Sequence, residues 1–276
     1  MTGLRSVVIA CALVCTASAP VSATSFTATL TSIRITARPG EIQTREFRLT
    51  LDKDQVKTRF KAHMEDWWRS EDGTQSFYRE PGTLARSCGR WVTLNPVEVE
   101  LLPGETMTTR LTVTASSEAE PGGYWCVLTV DEIPDPLAVL EGVGIRFLAS
   151  VSVGVFVNIG EQRRAVEITA VEIFNDAAVV KLRNDGNTPL AIEGRFEFVK
   201  PGATEATAVV PLTRNLLLTQ PILTGAYSAK LPADAVLPTG RYLVRAIIDY
   251  GVDHYIGTQR EMDVVRGSAV FADRKQ

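Results

Sequence analysis

Apolar and polar residues alternate along most of the chain after residue 24. Phe47, Leu49 and Leu51 occupy every second position and are separated by Arg48 and Thr50. Strand-like segments recur at 56–64, 97–101, 109–113, 124–130, 166–173, 179–183, 192–198 and 242–248. A period of two places alternate side chains on opposite faces of a β-strand. No long segment has the apolar spacing of an amphipathic helix, so the pattern predicts an all-β protein.

Turn signals divide the strands into two halves of similar size. Pairs such as Pro103-Gly104 and Pro121-Gly122 separate short segments, which is typical of β-sandwiches. A weak repeat supports this division, because Tyr124 and Tyr242 each follow a Pro-Gly-containing turn and lie 242 − 124 = 118 positions apart. We therefore predict two immunoglobulin-like β-sandwich domains in tandem, at 24–159 and 160–276.

The first 23 residues have the features of a secretory signal peptide. Arg5 precedes a short apolar segment, and the small residues Val21 and Ala23 stand at the −3 and −1 positions of a cleavage site. An alternative is a lipoprotein signal in which Cys11 is modified. No later apolar run is long enough to span a membrane. We expect a periplasmic protein without an integral membrane span, with an extracellular or cell-surface location as the alternative.

Cys88 and Cys126 are the two cysteines outside this segment. In an exported chain such a pair most simply forms a disulfide. A catalytic thiol or half of a metal site is the competing interpretation, but neither has a nearby histidine or a CxxC spacing. Tyr124, two residues before Cys126, fits a tyrosine corner. The bridge is expected to tie the loop around Cys88 to a core strand.

Composition excludes several classes of function. Lys and Arg total 29 and Asp and Glu total 32, giving a net charge of −3. Such a surface has no bulk attraction for nucleic acid. His63 and His254 are the only histidines, which leaves little material for histidine-based catalysis or zinc sites. Without a recognisable catalytic motif, we predict a protein that is not an enzyme and that uses no metal or cofactor.

One further motif is a candidate chemical site. Two carboxylates and two tryptophans adjoin at 65–68, a combination that a glycan-binding or glycosidase site could use. Neighbouring residues of a strand point to opposite faces, which favours a solvated strand edge instead. Arg163 and Arg164 are expected at the domain junction or in solvent.

Residues 144–159 form the longest alternating segment. Every odd position from Ile145 to Ile159 is apolar. At about 3.3 Å per residue, sixteen residues in one strand would extend roughly 50 Å. The strand either crosses the domain junction as a paired core strand, or exposes an apolar edge that a partner strand can join.

Residues 92–134 resemble a segment of the periplasmic pilus chaperones of the chaperone–usher pathway. The resemblance lies in VTLNPVEVELLPGETMTTRLTV and the later YWCVLTVDEIP. It implies that residues 145–157 are a donor strand for an incomplete, pilin-like subunit, with Ile145, Phe147, Ala149 and Val151 entering the subunit's groove. Arg34 would be one of two basic residues that hold the subunit's C-terminal carboxylate. The second position falls near Ser152 or Gly154, and neither is basic.

Together these features predict an exported chaperone that binds a secreted pilin-like subunit by β-strand complementation. The alternative is a cell-envelope scaffold or adhesion module that binds a surface protein or a polysaccharide. The pairing of the 144–157 edge distinguishes the two, because an edge covered by its own chain favours the scaffold.

Overall fold

The alternating segments form two β-sandwiches in a computed structural model that describes residues 24–134, 147–174, 176–219 and 223–265. The predicted signal peptide and Ile145 lie outside the described residues. Among the described residues, no helix has the length and apolar character needed to cross a membrane.

In the described ranges, the first sandwich has ten strands and one turn of 3-10 helix. These are β1 (Phe26–Ala28), β2 (Ser32–Ala37), β3 (Ile42–Leu51), β4 (Thr58–Arg69), β5 (Gln75–Tyr78), the 3-10 turn (Gly89–Trp91), β6 (Val92–Asn95), β7 (Glu98–Leu101), β8 (Thr106–Thr114), β9 (Gly122–Ile133) and β10 (Ser150–Ile159). One sheet has the order β1-β3-β8-β6, and the other has β2-β10-β9-β4-β5 with β7 also on β4. Their inner faces enclose a core that includes Phe47, Leu111 and Leu128.

The N-terminal segment of this sandwich contributes to both sheets. β1 pairs with β3 in one sheet, whereas β2 pairs in parallel with β10 in the other. The chain therefore changes sheets between Ala28 and Ser32. This change decides how much of β10 is covered by its own chain.

The second sandwich follows a short linker. Its strands are β11 (Val166–Phe174), β12 (Ala177–Asn184), β13 (Leu190–Val199), β14 (Ala206–Leu217), β15 (Thr224–Lys230), β16 (Gly240–Asp249) and β17 (Ile256–Val264). The sheets have the orders β11-β12-β15 and β14-β13-β16-β17. The prediction of an all-β protein with two tandem sandwiches is confirmed.

The two tyrosines of the sequence repeat occupy equivalent local structures. The Tyr124 hydroxyl donates a hydrogen bond to the carbonyl oxygen of Glu120 at 3.1 Å. The Tyr242 hydroxyl donates to the carbonyl of Pro238 at 2.9 Å. In both sandwiches the acceptor lies four residues upstream, the arrangement of a tyrosine corner.

A disulfide joins Cys88 to Cys126, with 5.3 Å between their Cα atoms. Both residues are fully buried, and the Cys88 N–H also donates to the carbonyl of Trp125 at 3.2 Å. Cys88 immediately precedes the 3-10 turn and Cys126 lies in β9. The bridge thus ties a loop to a core strand.

A buried carboxylate holds the same loop. Asp66 is fully buried in β4, and its carboxylate accepts hydrogen bonds from the Leu84 N–H at 2.9 Å and from the Ser87 hydroxyl. Ser87 in turn accepts the Gly89 N–H at 2.9 Å. The interpretation of Asp66 as part of a solvated edge is therefore wrong, because the loop covers it.

An apolar cluster joins the two sandwiches. Trp67, Trp125, Val127 and Phe156 of the first sandwich pack against Leu218 of the second. Two backbone hydrogen bonds also cross the junction, from the Ala226 N–H to the Glu71 carbonyl and from the Gly123 N–H to the Asn187 carbonyl, both at 2.8 Å. These apolar residues lie outside the core of the first sandwich and are buried by contact with the second sandwich.

Candidate strand-addition site

One end of β10 forms an open sheet edge. All of β10, from Ser150 to Ile159, pairs with β9 on one side. On its other side β2 covers β10 only from Gly154, which lies opposite Ser32, to Ile159. Residues 150–153 therefore have β9 on one side and no strand of the described ranges on the other.

Backbone groups of Ser150 and Ser152 face this open edge. The Glu132 N–H donates to the Ala149 carbonyl at 2.9 Å, so the backbone of Ala149 points towards β9. In an antiparallel pair the N–H and C=O of one residue point the same way, and successive residues alternate. The backbone N–H and C=O groups of Ser150 and Ser152 consequently point away from β9, where an added strand can bind them.

The predicted contact residues become more buried along the chain. Phe147 is 60% exposed. Ala149 is half-buried and is held by Glu132, whose carboxylate accepts the Ala149 N–H at 3.1 Å. Val151 is half-buried against the first core, and Val153 is fully buried. The apolar row therefore runs from solvent at Phe147 into the sandwich.

The predicted sixteen-residue strand is shorter in the described ranges. β10 starts at Ser150, and residues 147–149 belong to no strand. Within β10, residues 154–159 are paired on both sides. The two interpretations of the long segment thus each hold for a different part of it, because the chain covers its C-terminal half and leaves 150–153 open.

The side chains of Ser150 and Ser152, in the open segment 150–153, form hydrogen bonds that lead to β9 and β4. The Ser150 hydroxyl donates to the Asp131 carboxylate at 2.6 Å. Ser152 and Thr129 share a hydrogen bond of 3.1 Å, and Thr129 donates to the buried Glu65 carboxylate at 3.1 Å. The open segment is therefore anchored through its serines.

The carboxylates and tryptophans at 65–68 do not converge on one site. Glu65 binds Thr129, Asp66 binds the loop near Ser87, and Trp67 lies in the domain junction. Trp68 Nε1 donates to the Tyr78 hydroxyl at 3.0 Å. This distribution corrects the solvated-edge interpretation and also separates the groups that a glycosidase would need together.

Arg34 stands beside the open segment as an exposed cation. It lies opposite Phe156 in the β2–β10 pair, and its guanidinium carbon is 4.7 Å from the centre of the phenylalanine ring. No carboxylate of the described residues forms a salt bridge with it. Arg34 is therefore available to an external anion, and its guanidinium lies over the Phe156 ring.

Solved structures reveal what this architecture resembles. The class 5 fimbriae chaperone CfaA superposes with a TM-score of 0.50 at 13% identity, covering 86% of this chain and 99% of that chain. The chain has the two-domain fold of a fimbrial chaperone. Similarity extends to the YadV chaperone (TM-score 0.47, 12% identity, 85% and 99% covered). It also extends to the CsuC–CsuE chaperone–adhesion subunit complex of Acinetobacter baumannii (TM-score 0.48, 11% identity, 87% and 98% covered).

No protein-family model and no curated protein sequence matches the chain. The likeness to solved structures therefore concerns the fold.

Sequence reasoning missed Phe156 and the two serines. Phe156 is the single aromatic residue on the otherwise small or polar face of 150–158, and this irregularity was the available signal. Ser150 and Ser152 matter through their backbone, which no residue pattern reveals. Their role depends on where β2 begins to pair.

Proposed function

We propose that this protein is an exported chaperone that binds a secreted, pilin-like subunit by adding a strand of that subunit to β10. The observation that carries the proposal is the unpaired edge at 150–153. The fold of CfaA and the resemblance of residues 92–134 to pilus chaperones support it. Residues 1–23 would direct the chain to the periplasm. The function is that of a binding protein and requires no cofactor.

Backbone hydrogen bonds would provide much of the affinity. Ser150 and Ser152 offer two N–H and two C=O groups to an incoming strand, and each bond made there contributes about 0.5–1.5 kcal/mol net. Side chains on alternate positions would then select the partner. Phe147 is the largest of these and is 60% exposed. Burying it in an apolar groove is worth about 2–3 kcal/mol.

Arg34 would hold the C-terminal carboxylate of the subunit. The N–H donors of a guanidinium lie in its own plane, so a guanidinium over an aromatic ring can still bind a carboxylate. Ser152 and Gly154 supply no second cation. The anchor in this protein would therefore consist of one arginine over the Phe156 ring.

The scaffold alternative draws support from one feature, the coverage of 154–159 by β2. Its polysaccharide form is less favoured, because Trp67 is buried in the domain junction, and the half-buried Trp68 packs against the same cluster and donates to Tyr78.

A proline substitution tests strand addition directly. Ser152→Pro removes an N–H that faces the open edge and leaves the β9 pairing intact, a position at which edge strands tolerate proline. Ser152→Ala is the matched control, since it keeps the N–H. Each variant is produced with a tag in its native host and isolated from the cell envelope. The subunit that co-purifies with it is identified and quantified by mass spectrometry. We expect binding to be lost in Ser152→Pro and retained in Ser152→Ala.

A second pair of variants tests the side-chain contacts. Phe147→Asp would place a carboxylate in an apolar groove, at a cost exceeding the lost burial. Leu148→Asp is the control, because Leu148 is also exposed and this substitution adds the same charge at the adjacent position. The proposal fails if Ser152→Pro and Phe147→Asp both fold, as thermal melts would show, and still retain the subunit at wild-type levels.

A further inference from the structure

A cleft of about 340 Å³ opens between the two sandwiches, away from the open edge. Its lining includes Arg86, Arg163, Asp185, Gly186, Asn187 and Thr219. Arg86 belongs to the loop that follows β5, Arg163 to the linker, and the other residues to the second sandwich. The Trp125 N–H donates to the Arg86 carbonyl, so β9 separates this loop from β10.

The wall of the cleft is rigid where the linker meets the second sandwich. The Asn187 side-chain oxygen accepts the Arg163 N–H at 2.8 Å, and its Nδ2 donates to the carbonyls of Pro121 and Glu161 at 3.3 and 3.2 Å. A Cβ atom at Gly186 would lie 2.3 Å from the Arg163 carbonyl oxygen, so a larger residue would displace the linker. The backbone of Arg163 is thus held in place.

Positive charge in the cleft exceeds negative charge. Arg163 is exposed, and its side chain pairs with no carboxylate of the described residues. The guanidinium carbon of Arg86 lies 5.0 Å from the Tyr124 ring centre, and the group donates to the Pro121 carbonyl and pairs with the highly exposed Glu120, both at 3.4 Å. Asp185, the one acidic residue among the described residues that line the cleft, is already paired with Arg183 at 2.8 Å. An anion entering the cleft therefore meets two weakly compensated guanidinium groups.

Thr219 lines the same cleft and carries a buried hydroxyl group. The residue is 3% exposed, and its Oγ1 has no hydrogen-bond partner among the residues that the structure describes. Burying a hydroxyl without a partner is costly, and a bound acceptor would recover that cost. Guanidinium and hydroxyl donors together suit the oxygens of carboxylates and phosphates.

We propose that this cleft binds a small oxyanion, a carboxylate or a phosphate, with Arg86 and Arg163 as charged donors and Thr219 as a neutral donor. The three residues come from the first sandwich, the linker and the second sandwich. A ligand that contacts all three stabilises the present angle between the domains. Binding of the anion and the domain arrangement are therefore coupled.

Inorganic phosphate is the probe for the first experiment, titrated into the exported protein at constant ionic strength and followed by calorimetry and thermal melts. We expect saturable binding that Arg163→Gln weakens by about tenfold or more. Arg164→Gln is the matched control. It loses the same charge at the next position, but its guanidinium donates to the Gly251 carbonyl and does not line the cleft.

Thr219→Val gives a readout independent of net charge. It should weaken phosphate binding severalfold, and it should not lower the melting temperature of the phosphate-free protein, because it removes a hydroxyl that has no partner in the described part of the chain. Competition with a short peptide distinguishes the sources of the anion. Displacement of phosphate by the free carboxyl form and not by the amidated form identifies a chain terminus, and no displacement by either form identifies a phosphate ligand.

The proposal is overturned if phosphate and the carboxylate peptide both fail to bind saturably, or if Arg163→Gln and Arg164→Gln reduce binding equally. Phe147→Asp should leave phosphate binding unchanged. Failure of strand addition and failure of the anion site are therefore distinguishable.

Discussion

The guanidinium carbon of Arg34 lies 4.7 Å from the centre of the Phe156 ring, and the two residues face each other across the parallel strands β2 and β10. Phe156 also packs edge to face with Trp67, at 6.5 Å between ring centres, within the domain junction. One side chain thus connects the proposed carboxylate anchor to the contact between the two sandwiches.

Replacing the stacked ring should weaken subunit binding moderately. Phe156→Leu keeps an apolar side chain in the junction but removes the π face, which is worth about 0.5–1 kcal/mol at an exposed cation, or roughly a two- to fivefold rise in Kd. Arg34→Gln should weaken binding more, because it removes the charge itself. Binding isotherms with the purified subunit measure both effects. Arg45→Gln, on the opposite sheet, should change little, and an equal effect of all three variants would contradict the anchor.

Removing the disulfide should destabilise the first sandwich. The bridge spans 38 positions, for which loop-closure entropy gives about 4 kcal/mol in the free energy of unfolding. The double variant Cys88→Ala/Cys126→Ala, which leaves no free thiol, should show this loss in urea unfolding.

Alkylation tests for the disulfide and must be done on the unfolded chain, because both cysteines are fully buried in the folded protein. Alkylation in denaturant without reductant should leave Cys88 and Cys126 unmodified. Modification of both under these conditions would show that the exported protein lacks the bridge.

Stability should fall at alkaline pH because of Tyr227. Burial raises the pKa of this tyrosine, against a smaller opposing effect of Arg69. Above the ordinary tyrosine pKa of about 10, the unfolded chain loses the proton while the folded chain keeps it. The free energy of unfolding therefore decreases by about 1.4 kcal/mol per pH unit from this group.

Tyr227→Phe isolates that contribution. The variant loses the hydrogen bond from the hydroxyl to the Leu216 carbonyl, at 3.1 Å, so it should be about 1 kcal/mol less stable at neutral pH. The difference from the wild type should shrink as the pH rises above 10. Parallel stability curves across this range, measured by denaturant unfolding, would contradict burial of an un-ionised Tyr227.

A methyl group at Gly123 should disturb the domain junction. Its Cβ would lie 2.5 Å from Pro189 Cδ and 2.6 Å from Thr188 Oγ1, so the turn of the second sandwich must move. We expect Gly123→Ala to cost about 1–3 kcal/mol. Small-angle scattering should also show a changed separation of the domains. Gly240→Ala, where the Cβ would meet only the Tyr242 ring at 3.7 Å, is a control with ordinary contacts.

Local pattern was sufficient for much of this protein. The alternation at 47–51 or 242–248 encodes both faces of a strand in the strand's own residues, because successive Cβ atoms point to opposite sides. The same locality explains the tyrosine corners, since Tyr124 and Tyr242 bond to carbonyls only four residues away. Cys88 and Cys126 were the two cysteines left once the signal segment was set aside, so their pairing required no knowledge of the fold.

Only the tertiary structure decided where β10 is open. That boundary depends on β2, more than a hundred residues earlier in the chain, which starts to pair at Ser32 after the chain has changed sheets. Alternation describes the faces of a strand and carries no information on which neighbour covers its edge. The burial of Asp66 and Phe156 could not be predicted from the sequence for a related reason. An apolar or charged side chain on the outer face of a sheet is exposed or buried according to what packs there, and that was settled by the 82–89 loop and by Leu218 of the second sandwich.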